Sequence, residues 1–131
     1  MKNTVIVCGM ILALPFRVSG ASKAEQSAFG VVKAFYEAAN RRECAQAEDG
    51  FTAESLKTLK ETLASAGGFQ AFCQDRGGKA PLADVRLVKA EIKKGVAEVM
   101  TERTYSDGSS ARAVDHLVKQ GGAWKIEFQG R

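Results

Sequence analysis

The sequence predicts an α+β fold, with N-terminal helices packed on a curved four-stranded antiparallel meander and a signal peptide in front. Three observations predict it. Residues 85–128 alternate apolar and polar side chains between tight-turn signals, residues 22–73 carry apolar side chains at helical spacing, and residues 1–21 have the layout of an export signal. A chain of 131 residues suits one modest core, so residues 22–131 are expected to form a single domain.

The opening segment has Lys2, an apolar run from Thr4 to Leu14, Pro15, and then the small residues Ser19-Gly20-Ala21. The run is shorter than the roughly 20 residues of a membrane span, and Ser19-x-Ala21 fits cleavage after Ala21. Arg17 leaves an uncleaved anchor as the alternative, and membrane contact is expected only in that form. Export to the periplasm or medium is the expected destination. Losing residues 1–21 removes Lys2 and Arg17, which lowers the net charge from +4 to about +2. The remaining basic residues are scattered, with Arg41-Arg42 and Lys93-Lys94 the only dense pairs. No nucleic-acid partner is expected.

Ser22-Lys23-Ala24-Glu25 reads as a capping box that opens a first helix. Behind it Phe29, Val32, Phe35, Tyr36 and Ala39 form an apolar stripe, and the helix is expected to run from Lys23 to about Glu43. Ala45–Gly50 is ambiguous. Thr52 reads as the cap of a further helix carrying Leu56, Leu59 and Leu63 until Gly67-Gly68. Phe69, Phe72 and Cys73 form one more short turn. Cys44 and Cys73 in an exported chain invite a disulfide closing a loop of roughly 30 residues; two buried thiols are the alternative. Neither cysteine has metal-ligand spacing, and one His cannot complete a zinc site, so no metal is expected.

Turn signals at Lys94-Gly95, Asp107-Gly108 and Gln120-Gly121-Gly122 divide the rest into four strands. Two-residue loops at the first two turns set Val88 opposite Thr101, Ala90 opposite Val99, Val99 opposite His116 and Ala97 opposite Val118. A three-residue loop at the last turn then brings Val118 opposite Trp124 and His116 opposite Ile126. On this register the only Trp and the only His share the inner, apolar face. Leu87, Met100, Leu117 and the carboxylate of Asp115 fall outside.

A helix-rich first half followed by such a meander resembles the nuclear-transport-factor-2-like (cystatin-like) superfamily, and within it the short exported bacterial domains of unknown function. The resemblance rests on Val31-Val32-Lys33-Ala34-Phe35-Tyr36-Glu37-Ala38 and on the terminal Gly122-Ala123-Trp124-Lys125-Ile126 hairpin. It implies a cone-shaped sheet wrapped around a helix, often with a pocket, and frequent pairing through the convex sheet. The superfamily includes isomerases, dehydratases, polyketide cyclases and many non-enzymes, so the fold does not fix the function.

Inside such a cone His116 is the sharpest candidate, as a general base or a ligand hydrogen-bond donor, against the plainer reading of a satisfied core histidine. Thr101, Arg103 and Tyr105 form a polar end to the inner face, with Tyr36 and Trp124 facing the same space. Arg103 there could meet an anion or carboxylate at a pocket mouth. Proton-abstracting members of the superfamily pair an inward Asp with a Tyr or His, and no inward carboxylate can be named here. No phosphate loop, nucleophile elbow or paired catalytic carboxylates appear, and no cofactor is expected. The expected function is a non-catalytic module holding a small apolar ligand or a protein partner. The alternatives are an isomerase- or cyclase-like enzyme using His116, and an accessory subunit of a cell-envelope assembly. Leu87, Met100 and Leu117 on the outer face are the basis for expecting a homodimer.

Overall fold

A computed structural model describes residues 21–75 and 80–128. The expected signal peptide lies outside the described residues, apart from Ala21. The chain begins with helix α1 (Lys23–Asn40), whose capping box forms as read: the Ser22 hydroxyl accepts from the Glu25 N–H at 3.0 Å, and the Glu25 carboxylate accepts from the Ser22 N–H at 2.8 Å. The helix ends three residues before the expected Glu43. Arg42 turns left-handed (φ 61°), the Glu43 N–H donates to Ala38 O and the Arg42 N–H to Ala39 O. That pair of bonds satisfies the last carbonyls, with arginine in the place glycine usually takes.

The ambiguous stretch forms a short helix α2 (Cys44–Glu48), followed by α3 (Ala53–Thr62) and α4 (Gly68–Gln74). Thr52 caps α3 by accepting from the Ser55 N–H. Gly67 (φ 89°) reverses the chain before α4. A disulfide joins Cys44 of α2 to Cys73 of α4 across a Cα separation of 5.9 Å, fastening the outlying helix to the body. Among the described residues no helix is long and apolar enough to cross a membrane.

Strands β1 (Leu82–Lys93), β2 (Val96–Tyr105), β3 (Ser110–Gln120) and β4 (Ala123–Glu127) form one antiparallel sheet in sequential order. The first hairpin follows the expected register next to its turn, with Ile92 opposite Ala97 and Ala90 opposite Val99. A bulge at Val88 then brings Leu87, not Val88, opposite Thr101. Such a bulge adds twist and bends the sheet. It also turns Leu87 and Val85 inward, where both are buried.

The second hairpin departs from expectation. Its loop has three residues, Ser106-Asp107-Gly108, because the Gly108 N–H closes a turn on Tyr105 O and the Tyr105 N–H donates to Ser109 O. Gly108 takes φ 88°, and the Asp107 carboxylate accepts from both the N–H and the hydroxyl of Ser109. One extra loop residue slips the register by one, so Val99 faces Asp115 and Ala97 faces Leu117. Every β3 side chain therefore points opposite to the expected face. Asp115 and Leu117 point into the fold, and His116, Val114 and Val118 point out. The last hairpin has the two-residue Gly121-Gly122 loop (φ 59° and 83°) in place of the three-residue one, so Leu117 pairs with Ile126 and Lys119 with Trp124. The second departure offsets the first. Trp124 and Ile126 are buried inside, as expected.

Helix α1 lies in the concavity against β1, β2 and β4. Ala28 and Val32 of the helix are fully buried with Val99 and Leu117 of the sheet, and Leu87, Ala97, Trp124 and Ile126 complete the centre of the core. Residues 50–52 run beside β4, where the Ile126 N–H donates to Gly50 O and the Thr52 N–H to Ile126 O. This pairing carries Phe51 into an edge-to-face row with Phe35 and Phe69. On the convex face Glu102 pairs with Arg86 and Arg112. With Leu87 and Leu117 turned inward, Met100 alone of the three expected outer apolar residues remains outside.

Candidate functional site

The four polar positions read from the sequence, Tyr36, Thr101, Arg103 and Tyr105, belong to the concave side, and the register of β3 adds Asp115 to them. Their placement follows from two local facts. Thr101, Arg103 and Tyr105 occupy alternate positions of β2 and so share its inner face. Tyr36 stands on the α1 stripe that lies over that face.

The contacts are direct. The Tyr36 hydroxyl donates to Asp115 Oδ2 at 3.3 Å, joining helix to sheet across 79 residues of sequence. The Arg103 guanidinium stacks over the Tyr36 ring, with Cζ 4.6 Å from the centroid, and its Nη1 donates to the Tyr105 hydroxyl at 3.1 Å. Thr101 is fully buried, and its hydroxyl has no partner. The Arg103 Nε–H is likewise buried without an acceptor.

Burial sets the electrostatics of the pair. Desolvation raises the Tyr36 phenol far above its ordinary value of 10.0, and the neighbouring Asp115 carboxylate reinforces the rise. Asp115 is raised above 3.8, again mainly by burial, while the Tyr36 hydrogen bond and the Arg103 charge pull in the other direction. Tyr36 is thus held as a neutral donor.

Two hollows flank this cluster. A cavity of about 190 Å³ is lined by Phe35, Phe69 and Phe72, with Tyr36, Arg103, Tyr105 and Asn40 as its polar members, and Cys73 of the disulfide also lines it. A larger groove of about 540 Å³ runs along Phe51, Leu59, Leu63, Ile126 and Phe128, and Asp115 belongs to this side. Phe35, Phe69 and Phe72 contribute to both.

His116 is not part of the cluster. The one-residue slip sends it to the convex side opposite Glu98, where its Nε2 lies 3.1 Å from Glu98 Oε2, and its nearest share in a hollow is at the edge of the larger groove. Trp124 faces inward but belongs to the packed core, with Lys119 Nζ 5.0 Å from its ring centroid. Asp115, Phe35, Asn40, Phe69 and Phe72 are among the site residues that sequence reasoning missed. The available signal for Asp115 was Asp107-Gly108-Ser109: an Asp able to accept from the N–H two residues on favours the longer loop. Among the described residues no three His, Cys, Asp or Glu side chains come together in a way that could hold a metal ion.

No family model matches the sequence, and no curated protein matches it. Solved structures do match. A Campylobacter jejuni protein, provisionally described as an NTF2-like transpeptidase, overlays on 82% of this chain and 100% of its own at a TM-score of 0.61 and 12% identity. The solution structure of a SEC-C motif containing protein from Rhodopseudomonas palustris overlays on 84% of this chain and 92% of its own at a TM-score of 0.48 and 9% identity. With the helix-filled concave sheet described above, the first of these overlays establishes that this chain has an NTF2-like fold.

Proposed function

We propose that the chain is an exported, non-catalytic binding module that takes a small, largely apolar molecule between α1, α4 and the sheet. The observation that carries this reading is the cavity of about 190 Å³ walled by Phe35, Phe69 and Phe72, with Arg103, Tyr36 and Tyr105 beside it. An apolar wall with a few convergent polar groups is the usual form of a small-molecule site. The Cys44–Cys73 disulfide supports the exported half of the reading, because such bonds persist in oxidising compartments.

Titration of the purified chain with toluene, followed by NMR, tests it. Shifts should concentrate at Phe35, Tyr36 and Phe72, and Ala39→Phe, which fills the cavity wall, should abolish them. Absence of binding, or unchanged binding by the filled variant, refutes the module.

Asp115 supports a second reading, an acid–base catalyst. An inward carboxylate against a neutral phenol can accept a proton from a bound substrate while the phenol steadies the developing negative charge. In this reading Asp115 takes the role that the sequence alone offered to His116. Asp115→Asn separates the two: a module keeps its ligand, whereas a catalyst keeps its ligand and loses turnover.

A further inference from the structure

Resting on the binding reading above, we propose that the occupant of the smaller cavity is a monocarboxylate with a one-ring apolar body, its carboxylate held by Arg103. Three observations carry the assignment. Arg103 is a permanent cation at an apolar cavity, and among the described residues no carboxylate lies within the 4.0 Å of an ion pair. Its neighbours are the Tyr36 ring face and the Tyr105 hydroxyl, which orient the guanidinium without neutralising it. Its Nε–H is buried without an acceptor, so the guanidinium's hydrogen-bonding capacity is not met within the fold, and a carboxylate is the acceptor that best matches a guanidinium.

The nearest acidic group does not compete. Asp115 feels the Arg103 charge but accepts from the Tyr36 hydroxyl and lines the larger groove, not the cavity Arg103 lines. Size selects the body. An apolar cavity of about 150 Å³ accepts benzene, so about 190 Å³ has room for one ring with a short acid arm. The walls are aromatic edges and faces, which suits a ring more than an alkyl chain.

The test compares phenylacetate with its neutral isostere phenylacetamide on the purified full chain, by NMR titration. Phenylacetate should bind about tenfold tighter or more, the scale of a charge-assisted bond to a desolvated cation. Arg103→Gln should erase that preference while leaving the amide's affinity in place. Arg103→Lys, which keeps the cation and removes the fork, should fall between the two and guards against a folding defect in the glutamine variant. An amide bound as tightly as the acid, or a glutamine variant that keeps the preference for the acid, overturns the carboxylate assignment while leaving the binding module standing. If neither probe binds, the binding reading itself falls, and this inference with it.

Discussion

Truncating Leu117 and Val118 in parallel measures which face of β3 is inside. Leu117 is fully buried between Ala97 and Ile126, whereas its neighbour Val118 is half-exposed on the convex side. Leu117→Ala removes buried carbons and leaves a hole the sheet cannot close, a loss of about 3 kcal/mol or more. Val118→Ala gives up part of one small side chain already in water, about 0.5–1 kcal/mol. A domain of this size is stable by only about 5–15 kcal/mol, so the first loss is a large share and the second is not. With a urea m-value of about 1.5 kcal/mol/M, Leu117→Ala should lower the unfolding midpoint by about 2 M, against less than about 0.7 M for Val118→Ala. Equal slopes for both variants keep the comparison clean. A Val118→Ala loss equal to or larger than that of Leu117→Ala would refute the register, and with it the inward placement of Asp115 and the outward placement of His116.

Other perturbations probe the remaining contacts. Replacing Cys44 and Cys73 with alanine frees a loop spanning 29 residues and should cost about 3–4 kcal/mol in the chain-entropy picture, read as a lower unfolding midpoint; an unchanged midpoint means the bond adds nothing. Arg42→Gly should add about 0.5–1 kcal/mol in the same denaturation assay, since glycine takes the left-handed position without a Cβ clash; a loss of stability contradicts that cap. Because Asp115 is raised in the folded state, its contribution to stability is full below pH 3.8 and is lost as pH rises through the folded value. Asp115→Asn, whose amide oxygen still accepts from Tyr36, should remove that decline and raise the midpoint at neutral pH. A lower midpoint would show the charge to be favourable in place. Tyr36→Phe should lose no tyrosinate absorbance relative to wild type at about pH 11, because the buried phenol stays protonated while the chain is folded.

Much of the architecture was legible from local chemistry. Ser22 and Glu25 close a capping box whatever packs above them, Thr52 caps its helix, and two consecutive residues able to take positive φ at Lys94-Gly95 make a two-residue hairpin. The inner-face set Thr101, Arg103 and Tyr105 follows from alternation within one strand. The faces of β3 were not legible in the same way. Ala111, Ala113 and Leu117 on one side and Val114 and Val118 on the other give that strand two nearly equal apolar faces. The pattern therefore fixes no register, and one loop residue decides it. Asp115 and His116, adjacent in sequence, exchange roles on that single residue.

The sequence by itself determined where two of the helices are capped, that helices are followed by an antiparallel meander, and that two cysteines stand ready to be joined. Those outcomes depend on backbone preferences and side-chain bonds within a few residues. Only the tertiary structure decided what sits inside the cone. A hairpin loop's length, the bulge at Val88 and the seating of α1 are settled by burying the most apolar area across the whole sheet, a comparison no short window contains. That global choice put a carboxylate beside Tyr36 and left Arg103 without one.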